Sequence, residues 1–300
     1  MEALLQSLQA NGIDIQTDCA LSMQSTFRVG GAARAAAFPD TREKLIKTLS
    51  LASAAGVRFA VFGNGSNVVF ADEGFDGLVI FTCRCRELTV DGDRIVADAG
   101  VSLAKIASLA CANSLSGAEF MHGIPGTLGG AVFMNAGAFE GSMEQITVTS
   151  DYWDIETGER GSFVGEEHRF AYRMSVYAQN PRYVLLGATL ALHRDDPAAI
   201  RAKMEDYMVR RKRTQPLEYP SAGSAFKRPV GYFAGKLIED CGLKGKAVGG
   251  AQVSEKHAGF IVNAGGATAK DIRMLVEEIK QTVLQNTGVE LECEIRFIDP

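Results

Sequence analysis

The residues in this chain best suited to chemistry are glycines embedded in apolar sequence. Residues 117–141 read GAEFMHGIPGTLGGAVFMNAGAFEG, seven glycines among Ile, Leu, Phe, Met and Val. Glycine turns at positive φ and lets a ligand approach the main chain closely. N–H groups exposed in this way hold phosphate oxygens, and the apolar residues between them suit the flat ring of a large cofactor. Gly123, Ile124, Pro125, Gly126, Gly129, Gly130 and Ala131 are the candidates here, with Pro125 fixing one φ while its neighbours stay free. A second stretch, VFGNGSNVV at 61–69, offers Gly63, Asn64, Gly65, Ser66 and Asn67. Its hydroxyl and amides can bond phosphate beside the backbone. Two candidate phosphate cradles in one chain point to a dinucleotide. Gly63-x-Gly65 is only half of a Rossmann fingerprint: position 68 is Val and no helical pattern follows, which argues against the NAD fold. Taken alone, this pair also reads as a tight turn.

The chain has 300 residues, room for two or three domains. A hydrophobic fraction of 46% with 22% charged residues is that of a soluble globular protein. The net charge of −5 carries no global basic footprint for nucleic acid. The one basic run, Arg210-Arg211-Lys212-Arg213, closes a helical pattern, where cations favour the dipole. It reads as a solvated helix end or as a contact for an anionic substrate. Six scattered cysteines suit a reducing compartment. Neither Cys83-x-Cys85 nor the four histidines have metal-site spacing, so no metal is expected. The N-terminus lacks a signal-peptide pattern and no run of 18 apolar residues occurs. Together these features predict a cytoplasmic protein; no long apolar interface pattern stands out, so a monomer is the default.

Periodicity places the elements that must hold these loops. A helix is expected over 42–55, capped by Asp40 with Glu43 and ended by Gly56. Strands are expected near 57–62 and 77–82, then a hairpin of Glu87–Val90 and Arg94–Ala97 around Asp91-Gly92. Ser102 caps a helix with Leu103, Ile106, Ala107 and Ala110 on its apolar face. Strands Gln145–Ile155, Arg160–Val164 and Tyr183–His193 follow, then a helix from about 197 to 213. The last block predicts a helix at 232–241, a Gly-rich loop at 242–250, a strand near 259–263, a helix at 269–286 boxed by Thr268 and Asp271, and a closing strand Leu291–Ile298. Helices and strands alternate only locally, which predicts α+β domains rather than one doubly wound sheet.

VFGNGSNVVF, GIPGTLGGAVFMNAGAF and Thr26-Phe27-Arg28-Val29-Gly30-Gly31 together resemble the UDP-N-acetylenolpyruvoylglucosamine reductase (MurB) family. The resemblance continues through Tyr172-Arg173-Met174-Ser175, through PSAGSAFKRP at 220–229, and through AGKLIE at 234–239 and KHAGF at 256–260. It covers nearly the whole chain, and the joint order of the motifs is specific. The short connection from Arg173 to Ser224 looks like the form without an extra Tyr-bearing insertion. The resemblance implies an α+β fold: a two-lobed FAD-binding domain of the vanillyl-alcohol-oxidase/PCMH type over 1–196, with lobes at about 1–86 and 87–196. A smaller α+β substrate-binding domain would occupy 197–300, its last strand (about 291–300) returning to the FAD domain.

The resemblance also implies bound FAD, NADPH as co-substrate, and reduction of an enol ether on a UDP-sugar in peptidoglycan precursor synthesis. Ser224 would be the proton donor, Arg173 would meet the charge growing on the enolpyruvyl carboxylate, and Glu294 matches the family's catalytic Glu. Alone, Ser224 is also a turn serine, Arg173 also an ion-paired surface residue, and Glu294 also one of the polar face Glu292, Glu294, Arg296 of an alternating strand. Lys227, Arg228, Lys236, Gln252 and Lys256 are candidate contacts for the UDP-sugar, and His122 is expected beside the flavin loop. The alternatives are a related flavin oxidase of another alcohol or sugar, supported by the first half only, and a non-catalytic flavin- or nucleotide-binding protein, disfavoured by the presence of Arg173, Ser224 and Glu294.

Overall fold

The computed structural model describes residues 1–300. The chain forms two compact units, each assembled from three separate segments: Met1–Thr17, Ala35–Asn64 and Gly77–Val209 in the first, Asp18–Arg34, Gly65–Asp76 and Arg210–Pro300 in the second.

The first unit holds two apolar cores. In one, helices Glu2–Ala10 and Arg42–Ala54 bring Leu4, Leu8, Leu45 and Leu49 together with Leu78 and Ile80. The strand Phe59–Phe62 pairs in parallel with Leu78–Phe81, the end of the strand Phe75–Phe81. The sheet order is Asp14–Ala20, Ala32–Phe38, Phe75–Phe81, Phe59–Phe62. The helix begins as expected but with a different cap. Thr41, not Asp40, accepts the Lys44 N–H, while the Asp40 carboxylate pairs with the Lys44 ammonium (2.8 Å). Thr41 is the residue in extended conformation immediately before the first helical turn, where a cap must sit.

The second core lies on an antiparallel sheet of five strands, ordered Glu159–Val164, Thr147–Asp154, Tyr183–Ala191, Arg94–Asp98, Leu88–Asp91. The Asp91-Gly92 hairpin forms in the expected register, Asp91 opposite Arg94. Ser102 accepts the Lys105 N–H and caps Leu103–Ala112, whose Leu103, Ile106, Ala107 and Ala110 are all buried. Packed with them is Leu128–Met134, a helix inside the long Gly-rich segment that the sequence pattern does not announce.

One buried carboxylate organises this half. Asp98 is 1% exposed. Its Oδ1 accepts from Arg42 Nε (3.1 Å) and Nη2 (2.9 Å), and its Oδ2 from the Glu87 N–H (3.1 Å). Arg42 Nη1 donates onward to Asp151 (2.9 Å), whose other oxygen accepts from Ser162. Gly187 opposes Asp98 across the sheet because a Cβ there would stand 2.3 Å from Arg42 Nη2.

In the second unit the helix Ala269–Thr287 lays Ile272, Leu275, Val276, Ile279 and Val283 into a core shared with Phe27, Val29 and Val69. The Thr268–Asp271 capping box forms as expected. Asp72 adds a second anion, accepting the Ala269 and Lys270 N–H groups at 2.7 and 3.0 Å, where the helix dipole favours it. The sheet beneath is antiparallel, ordered Ser221–Ser224, Phe260–Asn263, Ala251–Val253, Ala247–Val248.

The closing strand is shorter than expected. Only Arg296–Ile298 forms a ladder, parallel to Val68–Phe70. Upstream, Cys293 makes a single bridge to Phe226. The chain changes partner between the two, so neither pairing extends. The regular ladder therefore does not run through Glu292 and Glu294, which flank the bridged Cys293: the Glu292 carbonyl accepts from the Lys227 N–H and the Glu294 N–H donates to the Ala225 carbonyl. The basic run also departs from a uniformly solvated helix end: Arg210, Lys212 and Arg213 are exposed, whereas Arg211 is buried.

Removing the buried anion leaves the Arg42 guanidinium without its principal partner. Asp98→Ala is expected to cost about 3 kcal/mol, read as a lower urea midpoint at unchanged m-value. A midpoint within experimental scatter of the parent would show that the carboxylate is dispensable.

Candidate functional site

In the first unit the two Gly-rich loops meet. Asn64 Nδ2 donates to the Pro125 carbonyl (2.9 Å), and a Cβ on Gly63 would lie 2.1 Å from Thr127 Oγ1. Gly63 is thus the only residue type that permits this approach. Gly123 sits at φ 87, and Ile124 N–H closes a turn onto Met121. The second loop is anchored by its main chain: the Leu128 and Gly129 N–H groups donate to Val101 and Ala99, and the Gly126 carbonyl accepts from Leu103. Those two N–H groups are therefore engaged within the protein. Ala131 is buried in the core, whereas Gly130 is exposed with only Thr127 Oγ1 near its absent Cβ, at 3.9 Å.

Two polar atoms in this cradle are buried with no hydrogen-bond partner in the protein, Thr127 Oγ1 and His122 Nδ1. Thr127 stands at the N-cap of Leu128–Met134, yet its side chain makes no cap hydrogen bond. A buried hydroxyl without a partner calls for an external one. An orphaned hydroxyl against Gly63, in a loop that also carries Ile124 and His122, fits a polar, flat cofactor.

The rest of the first loop belongs to the second unit. Gly65, at φ 58, lies where a Cβ would meet the Gln24 carbonyl at 2.4 Å. Ser66 is partly exposed. Asn67 Nδ2 donates to the Glu294 carbonyl (3.2 Å), and the Asn67 carbonyl accepts from Arg296.

Ser224 ends the strand Ser221–Ser224 and is exposed. The strand loses its register to Phe260–Asn263 between Ser221 and Ser224, with Gly223 at φ 78. Such a bulge re-aims the side chain that follows it. The Glu294 N–H donates to the Ala225 carbonyl (2.8 Å), next in chain to Ser224. The fold therefore brings Ser224 and Glu294 together although 70 residues part them in sequence. Glu294 is half-buried. Cys293 beside it bonds the Ile295 carbonyl, and burial pushes its thiol pKa up to about 11.

The candidate UDP-sugar contacts lie on several elements of this unit. Lys227 pairs with Glu292, Lys236 with Asp240 one helical turn away, and Lys256 with Glu218 at 3.7 Å. The Arg228 guanidinium stands 4.0 Å from the centre of the Phe233 ring. Gln252 Nε2 donates to the Gly245 carbonyl (3.2 Å).

Arg173 belongs to the first unit, at the tip of a tight turn in which Ala171 and Met174 exchange main-chain hydrogen bonds. Its φ is 55, a left-handed conformation costing a non-glycine residue about 1–2 kcal/mol. Its guanidinium lies 5.0 Å from the Tyr172 ring centre. Sequence reasoning did not single out Asn135, which holds this turn. It sits in left-handed conformation at the C-cap of Leu128–Met134 and donates through Nδ2 to the Ala171 carbonyl (3.0 Å). The available signal was an Asn directly after a short apolar run, a residue type that tolerates that conformation.

Known proteins match two regions of the chain. Residues 33–159 match the model of the FAD binding domain, and residues 215–298 match that of the UDP-N-acetylenolpyruvoylglucosamine reductase C-terminal domain. A reductase of that name from Clostridium perfringens is 44% identical over 288 residues, covering 96% of this chain and 94% of its own. One from Caldanaerobacter subterraneus is 43% identical, covering 93% and 91%. The crystal structure of the Thermus caldophilus reductase superposes with a TM-score of 0.79 at 34% identity, covering 95% of this chain and 98% of that one. The Physcomitrella patens BBE-like 1 structure, at 15% identity and a TM-score of 0.52, shares the fold over 64% of this chain. The expected α+β architecture, a PCMH-type FAD-binding domain with a reductase C-terminal domain, is thus the one present. With relatives this similar along almost its whole length, the chain belongs to the UDP-N-acetylenolpyruvoylglucosamine reductase family.

Proposed function

We propose that this chain is an NADPH-dependent flavoenzyme that reduces the enolpyruvyl ether of UDP-N-acetylglucosamine to UDP-N-acetylmuramate, a step of peptidoglycan precursor synthesis. What carries the reading is the match over residues 215–298, within which Ser224 and Glu294 are tied by the Glu294–Ala225 hydrogen bond. The reading takes residues 1–196 as the FAD-binding domain and 197–300 as the substrate domain. The pairing of Arg296–Ile298 with Val68–Phe70 supports a return of the last strand to the FAD domain. No helix is long and apolar enough to cross a membrane. We take the enzyme to act in the cytoplasm, as a monomer, on a small UDP-sugar.

The residues around Gly63, Asn64, Gly123–Gly126 and Thr127 would hold FAD, with the orphaned Thr127 hydroxyl as a donor or acceptor to it. Gly65–Asn67 and Gly129–Ala131 complete the set we assign to that cofactor. Hydride chemistry would come from FAD held by these residues, with NADPH as the reductant. The protein supplies position, charge and a proton. Addition of hydride to the enolpyruvyl alkene leaves an enolate-like carbanion α to the substrate carboxylate. Arg173 is assigned to that carboxylate, since a guanidinium meets two oxygens with parallel hydrogen bonds. Its left-handed backbone matches the pattern in which strain collects at functional positions. Ser224 delivers the proton: a hydroxyl is a weak acid in water but protonates a much more basic carbon when held against it in a water-excluded site. Glu294 orients and polarises groups around that centre. Lys227, Arg228, Lys236, Gln252 and Lys256 are the set from which the diphosphate and sugar draw contacts. The local carboxylate partners of the three lysines imply that those contacts form by exchange of ion-pair partners.

Two outcomes test this assignment. Ser224→Ala is expected to keep FAD and to be reduced by NADPH at the parent rate. In anaerobic mixing with UDP-N-acetylglucosamine enolpyruvate, return of its oxidised flavin spectrum should slow by about 10²–10⁴-fold. Parent-like reoxidation would remove Ser224 as the acid, and failure of the parent protein to reoxidise would move the function to a different acceptor. For the cradle, Gly63→Ala drives a methyl group into Thr127 Oγ1. It is expected to purify with a lower ratio of flavin absorption to protein, and a parent ratio would place the cofactor elsewhere.

A further inference from the structure

Behind the Arg173 turn lies a buried chain of three polar side chains that the proposed reaction does not use. Ser150, on the central part of the strand Thr147–Asp154, is fully buried, as are His168 and Tyr177. Ser150 Oγ lies 2.8 Å from His168 Nε2 and 2.7 Å from the Tyr177 hydroxyl, and His168 Nδ1 lies 2.8 Å from the Gly165 carbonyl. The proton positions follow from chemistry. A carbonyl only accepts, so Nδ1 carries the proton. Burial lowers the His168 pKa, which keeps the ring neutral, so Nε2 accepts. Ser150 then donates to His168 and accepts from Tyr177. With the ring neutral, each donor and acceptor in the chain has one assignment.

The three residues bracket the Arg173 turn. His168 immediately precedes Arg169–Met174, and Tyr177 stands two residues after Ser175, which itself donates to the Phe133 carbonyl (2.8 Å). Both ends of the turn are thus tied to one hydroxyl on a rigid sheet strand. Aromatic packing seals the tie: His168 stacks on Phe170 at 5.0 Å, and Phe163 sets its ring edge-on to both His168 and Tyr177. Between the ties, the backbone holds two residues at positive φ, Arg169 at 48 and Arg173 at 55. A six-residue loop carrying two such residues relaxes unless its ends are held.

We propose that Ser150, His168 and Tyr177 are positioning residues for Arg173: their hydrogen-bond chain fixes the separation of the turn's ends and thereby keeps the guanidinium aimed for the substrate carboxylate. The inference rests on the reading in which Arg173 meets that carboxylate. None of the three touches the reacting atoms, so their effect is confined to the half-reaction in which Arg173 acts.

The test separates the half-reactions by rapid mixing in the FAD-loaded protein. Ser150→Ala cuts the chain at its centre. Reduction of the flavin by NADPH is expected to stay within about twofold of the parent, while reoxidation by the enolpyruvyl substrate slows by about tenfold. In an Arg173→Lys background the same Ser150→Ala change is expected to add less than about twofold, because the group being positioned is already impaired. Equal slowing of both half-reactions, or full additivity with Arg173→Lys, would overturn the proposal while leaving Arg173 in its role. Unimpaired reoxidation by Arg173→Lys itself would instead sink the underlying assignment. Should Ser150→Ala fail to fold, Tyr177→Phe opens the same chain with no loss of ring packing and is subject to the same two criteria.

Discussion

The most deeply buried carboxylate of the first unit, Asp98, ties its two cores together. A charge as buried as that of Asp98 is tolerable only when it is surrounded by donors. Here it has the Arg42 guanidinium and the Glu87 N–H. Those donors come from a helix and from the start of a hairpin, so satisfying one charge joins the two cores of the unit. Asp98 is also the last residue of its strand, and the chain continues directly into Ala99 and Val101, whose carbonyls receive Gly129 and Leu128. The anchorage of the second Gly-rich loop is therefore set by where the buried ion pair holds the end of that strand.

From that anchorage follows the division of labour in the cradle. Main-chain groups of residues 126–129 bind the loop to the Ala99–Leu103 segment, and the Leu128 side chain is buried in the core. Glycine at 63 is needed for close approach to Thr127, and Thr127 keeps a hydroxyl that nothing in the protein satisfies. In a folded interior an unsatisfied hydroxyl costs about 1–3 kcal/mol. Its retention in a glycine-lined approach is the local departure from optimal packing expected where a ligand completes the structure.

Strain at Arg173 has a comparable logic. The turn is held at its base by Asn135 and Ser175 and at its ends by the Ser150 chain. A flexible loop would lower the folding cost but would leave a long cation to search many rotamers. If Arg173 meets the substrate carboxylate as proposed, rigid presentation from a sheet reduces that entropy in advance.

Local rules carried much of this structure. The helix Ala269–Thr287 with its Thr268–Asp271 box, the Ser102 cap, the Asp91-Gly92 hairpin and the Gly-rich loops were all legible, because each depends on residues within a few positions of one another. The strand Ala32–Phe38 was not: a run of alanines has little strand propensity, and its burial in a close-packed sheet makes it one. The short helix Leu128–Met134 was hidden by Gly129 and Gly130, which disfavour helix unless packing holds it. In the candidate site, glycine spacing pointed to Gly63 and Gly123 and the family resemblance to Arg173, Ser224 and Glu294, but the sequence did not show that the segment of Glu294 bridges Phe226 once before changing partner. The sequence by itself determined the local elements and the family motifs. Only the tertiary structure decided that Asp72 caps a helix 197 residues away, that Thr127 is left without a partner, and that Ser150 joins both ends of the Arg173 turn. The reason is physical: these outcomes depend on burial and on partners far along the chain, and a hydrogen bond between distant residues leaves no periodic trace in sequence.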